Sequence, residues 1–228
     1  MNTVAPQSGE AAIIWLTLSV AARAVTLGLP LALLLALLLN KVFVPLRVVL
    51  SVLVNLPLML PPVVTGWLLL VVFGRQGPAG RYLGDHFHVH LPFTTNGAAL
   101  ACLVMTLPLM VRSIRQGLEV VDRGMLDAAR TLGAGPVDRL MSITLPLALP
   151  GIVAGVMLAF TACLGEFGAV ITFAASIPGV TQTLPLAIYA ALSQPGGDAI
   201  AMRLSLFSIA LAGGGYGLSE LVLRRVRR

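Results

Sequence analysis

The sequence predicts an all-α integral membrane protein, a bundle of about five transmembrane helices with a cytoplasmic helix between two of them. Three observations carry that reading. Hydrophobic residues make up 57% of the 228 and charged residues only 11%, where an ordinary soluble domain carries about 25% charged residues. The mean hydropathy is +0.95. The charges collect in the connections between long apolar runs instead of spreading along the chain.

The runs follow in order, and together they read as one domain spanning residues 1–228. The first extends over about 12–39 with Arg23 inside it and stops at Lys41, Pro45 and Arg47. No cation precedes it and further spans follow, so it is expected to stay as a helix, not to be cleaved as a signal peptide. The second, 48–73, carries Pro57, Pro61 and Pro62; membrane helices tolerate proline where neighbours satisfy the freed carbonyls, so a kinked span is expected. Residues 74–96 form a polar, Gly-rich connection with Arg75, Arg81, Asp85, His86, His88 and His90. The third run is 97–111, with Pro108 inside it.

Residues 112–142 hold Arg112, Arg115, Glu119, Asp122, Arg123, Asp127, Arg130, Asp138 and Arg139. Each such charge at a bilayer centre costs several kcal/mol, so this stretch is a loop outside the hydrocarbon. Spans four and five are 145–174, apolar apart from Glu166, and 204–223, apolar apart from Glu220. Between them only 184–192 is apolar, too short for a crossing that takes about 20 residues, and it is expected as a surface or re-entrant helix.

Orientation follows from the cations. With the N-terminus outside, the inner segments hold Lys41, Arg47, Arg112, Arg115, Arg123, Arg130, Arg139, Arg224, Arg225, Arg227 and Arg228, eleven of the fifteen. The outer connections hold Arg75 and Arg81, and Arg23 and Arg203 lie within or beside spans. That split satisfies the positive-inside rule and makes the 112–142 loop and the C-terminus cytoplasmic. The same distribution explains the net charge of +6 as membrane topology and not a nucleic-acid footprint.

Several chemistries lack their residues. Cys102 and Cys163 each sit alone in an apolar run, which implies neither a disulfide framework nor a CxxC metal site. His86, His88 and His90 alternate, as metal ligands on a strand would, but no carboxylate or thiol cluster joins them, so an outer polar loop is expected and no metal site. No Gly-x4-Gly-Lys-Ser/Thr loop occurs, which places any ATP hydrolysis on another chain. An intramembrane enzyme would need a His-Glu-x-x-His or clustered carboxylates where the spans hold Glu166 and Glu220, and a secondary carrier would show paired repeats that are absent.

The most informative segment is Asp127-Ala128-Ala129-Arg130-Thr131-Leu132-Gly133, followed after nine residues by Ile143-Thr144-Leu145-Pro146. Small Ala128 and Ala129 let a short helix approach a partner closely, Gly133 supplies the positive φ that ends a helix, and Pro146 suits the first turn of the next span. The segment resembles the EAA-x3-G-x9-I-x-LP signature of ABC importer permeases, with Asp127 in place of the glutamate. Further stretches, Leu56-Pro57-Leu58-Met59-Leu60-Pro61-Pro62-Val63-Val64, Gly165-Glu166-Phe167-Gly168-Ala169, Ile177-Pro178-Gly179 and Thr183-Leu184-Pro185-Leu186-Ala187-Ile188-Tyr189, look like the molybdate ABC transporter permease subunits over nearly the whole chain.

The resemblance implies a type I importer transmembrane domain in a bacterial inner membrane, acting as a homodimer. Two ATPase subunits carrying ATP and Mg would lie below it and a periplasmic oxyanion-binding protein above it. It further implies coupling to the ATPase through Asp127, Ala128, Ala129, Gly133, Ile143, Leu145 and Pro146, and a pore or gate near Glu166, Phe167, Pro61 and Pro62. Tungstate or sulfate in place of molybdate is the alternative.

Three residue readings stay open at this stage. Glu166 is either part of a gate or pore-side network, or a structural carboxylate paired with an arginine or a backbone amide. Arg23 either attracts an anion, snorkels, or marks a shorter span. Gly213 and Gly217 form a Gly-xxx-Gly pair that suits helix packing, with a role in conduction as the lesser alternative.

Overall fold

The computed structural model describes residues 9–226. Among them the chain is helical and contains no strand. Helix α1 covers Glu10–Lys41, α2 Val44–Met59, α3 Pro62–Phe73, α4 Pro78–Phe87, α5 Thr95–Glu119 and α6 Arg123–Thr131. Then come α7 over Pro136–Arg139, a π-turn over Leu140–Thr144, α8 over Leu145–Leu164, α9 over Gly168–Ala174, α10 over Leu184–Leu192 and α11 over Asp198–Val226.

Three stretches are long and apolar enough to cross a bilayer, Glu10–Asn40, Thr95–Glu119 and Pro136–Leu164, and the pair α2/α3 makes a fourth if it is one span. At 29 residues, α11 is a further long segment; at 1.5 Å per residue its length exceeds a hydrocarbon core of about 30 Å. Helix α5 is the centre of the bundle. Two-thirds of its most apolar window, 67%, is buried, against 33% for α1 and 28% for the Pro136–Leu164 stretch. Its buried face runs from Gly97 through Ala101, Met105 and Val111 to Leu118, and it packs against α1 and α8. Thr94 starts the helix by accepting from the Gly97 amide at 3.0 Å, which satisfies one of the donors a helix N-terminus leaves free.

Five sequence expectations change. The 48–73 run is broken more sharply than a kink: α2 and α3 meet at an angle of 113°, because Pro61 and Pro62 remove two consecutive amide donors and hold Leu60 extended. The 145–174 run is two helices, since α8 ends at Leu164 and Gly165, Glu166 and Phe167 separate it from α9. The polar connection 74–96 contains α4, and the first residues of the 112–142 stretch, Arg112, Arg115 and Glu119, extend α5. Lastly, Pro146 is not in the first turn of a span, because the helical chain already begins at Pro136. The Leu145 amide bonds to the Leu140 carbonyl across the π-turn, and that widened turn makes room for a proline ring inside a continuous helix.

Helix α10 is packed against α1 and α11, with Leu184, Leu186, Ala187 and Ala191 buried. Its start is tied to the other end of the chain. Buried Thr17 donates to the Ile13 carbonyl at 2.8 Å and accepts from the Leu184 amide at 2.9 Å, 167 positions away. Beside it Arg203 pairs with Glu10 at 2.9 Å. Arg23, left open by the sequence, donates to Asn96 at the start of α5 at 3.0 Å.

Candidate functional site

The exposed helix α6 hangs between α5 and the α7–α8 stretch. Asp122 caps it, accepting from the Gly124 amide at 2.7 Å, which suits the positive end of a helix dipole. At the other end Gly133 has φ +88°. The Gly133 amide bonds to Arg130 O at 3.1 Å and the Ala134 amide to Ala129 O at 3.0 Å, the two bonds of a Schellman termination, which requires a left-handed residue at that place. No atom lies within 4 Å of where a Gly133 β-carbon would be, so the demand for glycine comes from the backbone alone. Asp127 and Ala128 are exposed and Ala129 half-buried. Exposed Met125 and Leu132 add apolar surface, Leu132 being 88% exposed.

Ile143 lies in the π-turn, and Leu145 and Pro146 in the first turn after it. The chain reaches them through α7, which Asp138 caps by accepting from the Gly135 amide at 3.1 Å. The seven residues of the signature therefore bracket one excursion from the bundle and return: out along α5, across α6, back through α8.

What joins the two roots of that excursion is a seam that sequence reading missed. A β-carbon on Gly151 would stand 2.6 Å from the Gly117 α-carbon, and one on Gly117 would stand 2.9 Å from the Ala148 carbonyl oxygen. One turn further along, a β-carbon on Gly155 would be 3.2 Å from Met110 O. Ser113 donates to the Gly151 carbonyl at 3.0 Å. Ser113 and Gly117 on α5, and Gly151 and Gly155 on α8, are two small-xxx-small pairs facing one another, the spacing that lets membrane helices touch backbone to backbone. The signal was in the sequence. The pair singled out there, Gly213 and Gly217, has no atom of this chain within 4 Å of either β-carbon position among the described residues.

The gate candidates come together. Gly168, just after the break between α8 and α9, lies against Pro62, just after the break between α2 and α3: a β-carbon on Gly168 would stand 2.6 Å from Pro62 Cβ. Further along the same contact, Gly66 would place a β-carbon 2.7 Å from Ala169 O and 2.7 Å from Thr172 Cβ. Glu166 closes this arrangement from within, accepting from the Ala169 amide at 3.0 Å. Among the described residues no cation lies within ion-pair distance of it, so of the sequence alternatives the geometry gives the backbone-amide partner. Phe167 packs its ring against Tyr189 of α10, centroids 5.2 Å apart. Pro61 and Pro62 are exposed within this chain. Among the described residues no group of three or more His, Cys, Asp or Glu side chains gathers as metal ligands would.

Known proteins resemble this chain over nearly its whole length. The chain is 49% identical over 209 residues to the molybdenum transport system permease protein ModB of Escherichia coli K12, covering 92% of this chain and 91% of that one. It is 44% identical to the protein of the same name in Haemophilus influenzae, covering 96% of each. Among solved structures its fold resembles a chain of a bacterial alginate ABC transporter, with a TM-score of 0.77, 18% identity and coverage of 96% of this chain and 80% of that one. It also resembles a chain of the inward-facing MetNI methionine ABC transporter, with a TM-score of 0.73, 16% identity and 96% of each chain covered. The sequence pattern of one transport family matches residues 28–228, and the chain belongs to that family, the binding-protein-dependent transport system inner membrane components.

Proposed function

We propose that this chain is the membrane-spanning permease subunit of an ATP-driven importer that carries molybdate across the bacterial inner membrane. The observation that carries the substrate is the 49% identity to a molybdenum permease across more than nine-tenths of both chains. The chain works as a homodimer, with two ATP-binding cassette subunits holding ATP and Mg on the cytoplasmic side and a periplasmic oxyanion-binding protein outside. Its N-terminus is periplasmic and its C-terminus cytoplasmic, as the distribution of Lys and Arg supports.

The mechanism rests on the two sites above. Helix α6, with Asp127, Ala128 and Ala129 on it and Gly133 ending it, docks on the ATPase. The Gly117–Gly151 seam makes α5 and α8 move together when the ATPase subunits close. That motion reaches the junction of Pro62 with Gly168, beside Glu166 and Phe167, because α9 follows α8 after only three residues. Opening and closing there gives alternating access without any catalytic residue on this chain.

The experiment is uptake of radiolabelled molybdate by cells that lack their own importer and express this chain with its ATPase and binding protein. ATP-dependent uptake that molybdate outcompetes is the expected result. Uptake of tungstate or sulfate to the exclusion of molybdate would reassign the anion and leave the machine; no uptake of any oxyanion would overturn the reading.

A further inference from the structure

A cavity of about 440 Å³ lies where α4 folds back on the end of α3, lined by Arg75, Gly80, Arg81, Gly84, Asp85 and His90. Two glycines build it. A β-carbon on Gly80 would collide with the carbonyl oxygens of Phe73 and Gly74, so glycine alone lets α4 sit on the C-terminal end of α3. His88 then takes a left-handed conformation, φ 53°, and turns the chain so that His90 lies over α4; a β-carbon on Gly84 would be 3.1 Å from the His90 ring.

The charges in this cavity are unusual for the side of the protein on which it lies. Of fifteen Lys and Arg residues, Arg75 and Arg81 are the two in the outer connections, and both line this one cavity. The other two cations outside the inner segments have partners, Arg23 on Asn96 and Arg203 on Glu10. Among the described residues neither Arg75 nor Arg81 has a side-chain hydrogen bond or an ion pair, and the Asp85 carboxylate stands without a cation inside 4.0 Å. Two guanidiniums outnumber one carboxylate, and an imidazole adds an N–H donor in either tautomer.

We infer that this cavity is a site for a small tetrahedral oxyanion of charge −2. A guanidinium offers paired N–H donors that match two oxygens of such an anion at once, and a concave cationic surface concentrates anions near it. That the cavity faces the periplasm rests on the orientation given under the proposed function. Its role there is to hold the anion at the outer mouth, next to the chain that α3 carries to the Pro62 junction. Asp85 keeps the affinity low, so that an anion leaves as readily as it arrives.

The test is equilibrium dialysis of radiolabelled molybdate against the assembled complex of this chain with its ATPase, in detergent and without the binding protein. The wild type is expected to bind one molybdate per copy of this chain, with sulfate competing. The double variant Arg75→Gln, Arg81→Gln should lose at least about tenfold in affinity, the range for removing two charge-assisted hydrogen-bonding groups, while Asp85→Asn should gain severalfold. Gel filtration confirms that each complex is assembled. Equal binding in all three, or none in the wild type, would overturn the inference. So would variants that bind molybdate normally but no longer retain the binding protein, because the guanidiniums would then serve a partner's carboxylate. Normal uptake with no cavity binding counts against this inference alone, and cavity binding with no uptake counts against the transport reading alone.

Discussion

Gly168 and Pro62 lie so close that a β-carbon on the glycine would stand 2.6 Å from the β-carbon of the proline. Each residue follows directly on a break, one between α8 and α9 and one between α2 and α3. Two interruptions more than a hundred positions apart in sequence thus meet in one contact, and a single added methyl group tests whether that contact matters. Gly168→Ala forces the two breaks apart and should destabilise the complex by about 1–3 kcal/mol, the usual range for overpacking. Its thermal midpoint in detergent and its molybdate uptake should both fall. Wild-type values for both would mean that the junction has slack.

The α5–α8 seam leads to a sharper contrast. Gly151→Leu drives a side chain into the Gly117 backbone, whereas Gly213→Leu enters open space within the chain. Assembly measured by fluorescence-detected gel filtration should be lost for the first. The second should leave the fold of each copy intact, read as an unchanged unfolding midpoint of the isolated chain; equal losses in both would contradict the placement of the seam.

For the coupling helix, Gly133→Val imposes a β-branched residue on φ +88°, a conformation that costs a non-glycine residue about 1–2 kcal/mol. Ala128→Trp blocks the close approach of the helix to a partner. Both variants should insert and assemble with uptake and binding-protein-stimulated ATP hydrolysis reduced at least about tenfold. Wild-type stimulation in both would remove the coupling role from α6.

Glu166 separates capping from charge. Glutamine keeps an acceptor for the Ala169 amide, so Glu166→Gln should leave the complex assembled, and any loss of uptake then reports on the charge. Glu166→Ala also removes the acceptor and should cost about 1 kcal/mol, as for a lost helix cap. A melting midpoint lower for glutamine than for alanine would refute the capping role.

The orientation can be probed with single cysteines at Asn2, Asp138 and Arg228 and an impermeant thiol reagent in intact cells. Asn2 and Arg228 lie outside the described residues, and Asp138 caps α7. Labelling is expected at position 2 alone, and the reverse pattern would invert the topology.

How much of this was legible in the sequence depended on the range of the interaction. Gly133 was readable because its demand is local: a positive φ at a helix end needs no knowledge of what lies nearby. The short helix at 184–192 was readable from length against bilayer thickness. Pro61 and Pro62 announced a disturbance but not a 113° bend, because the angle depends on where α9 sits to receive α3. Glu166 was visible as a charge in an apolar run, yet its partner is a backbone amide three residues on, and sequence does not distinguish that from a distant arginine. The Gly117–Gly151 seam was missed for the same reason, since spacing marks which glycines can pack without saying which have a helix of the same chain beside them. Pro146 misled because the π-turn ahead of it leaves no residue signature.

The bond from Thr17 to Leu184 bears on how the protein is made. A helix as apolar as α1 enters the bilayer as soon as it leaves the ribosome, but the partners that fix its N-terminal half, Leu184 and Arg203, are synthesised near the end. At about 5–20 residues per second, Thr17 and Glu10 wait some tens of seconds at most for the groups that will satisfy them. Until then the first span is held by lipid and by its packing against α2, α5 and α8. The closing of the chain upon its own beginning is thus a late step of biogenesis, and a chain stopped before α10 would lack Leu184 and Arg203, the groups that tie down its first turns.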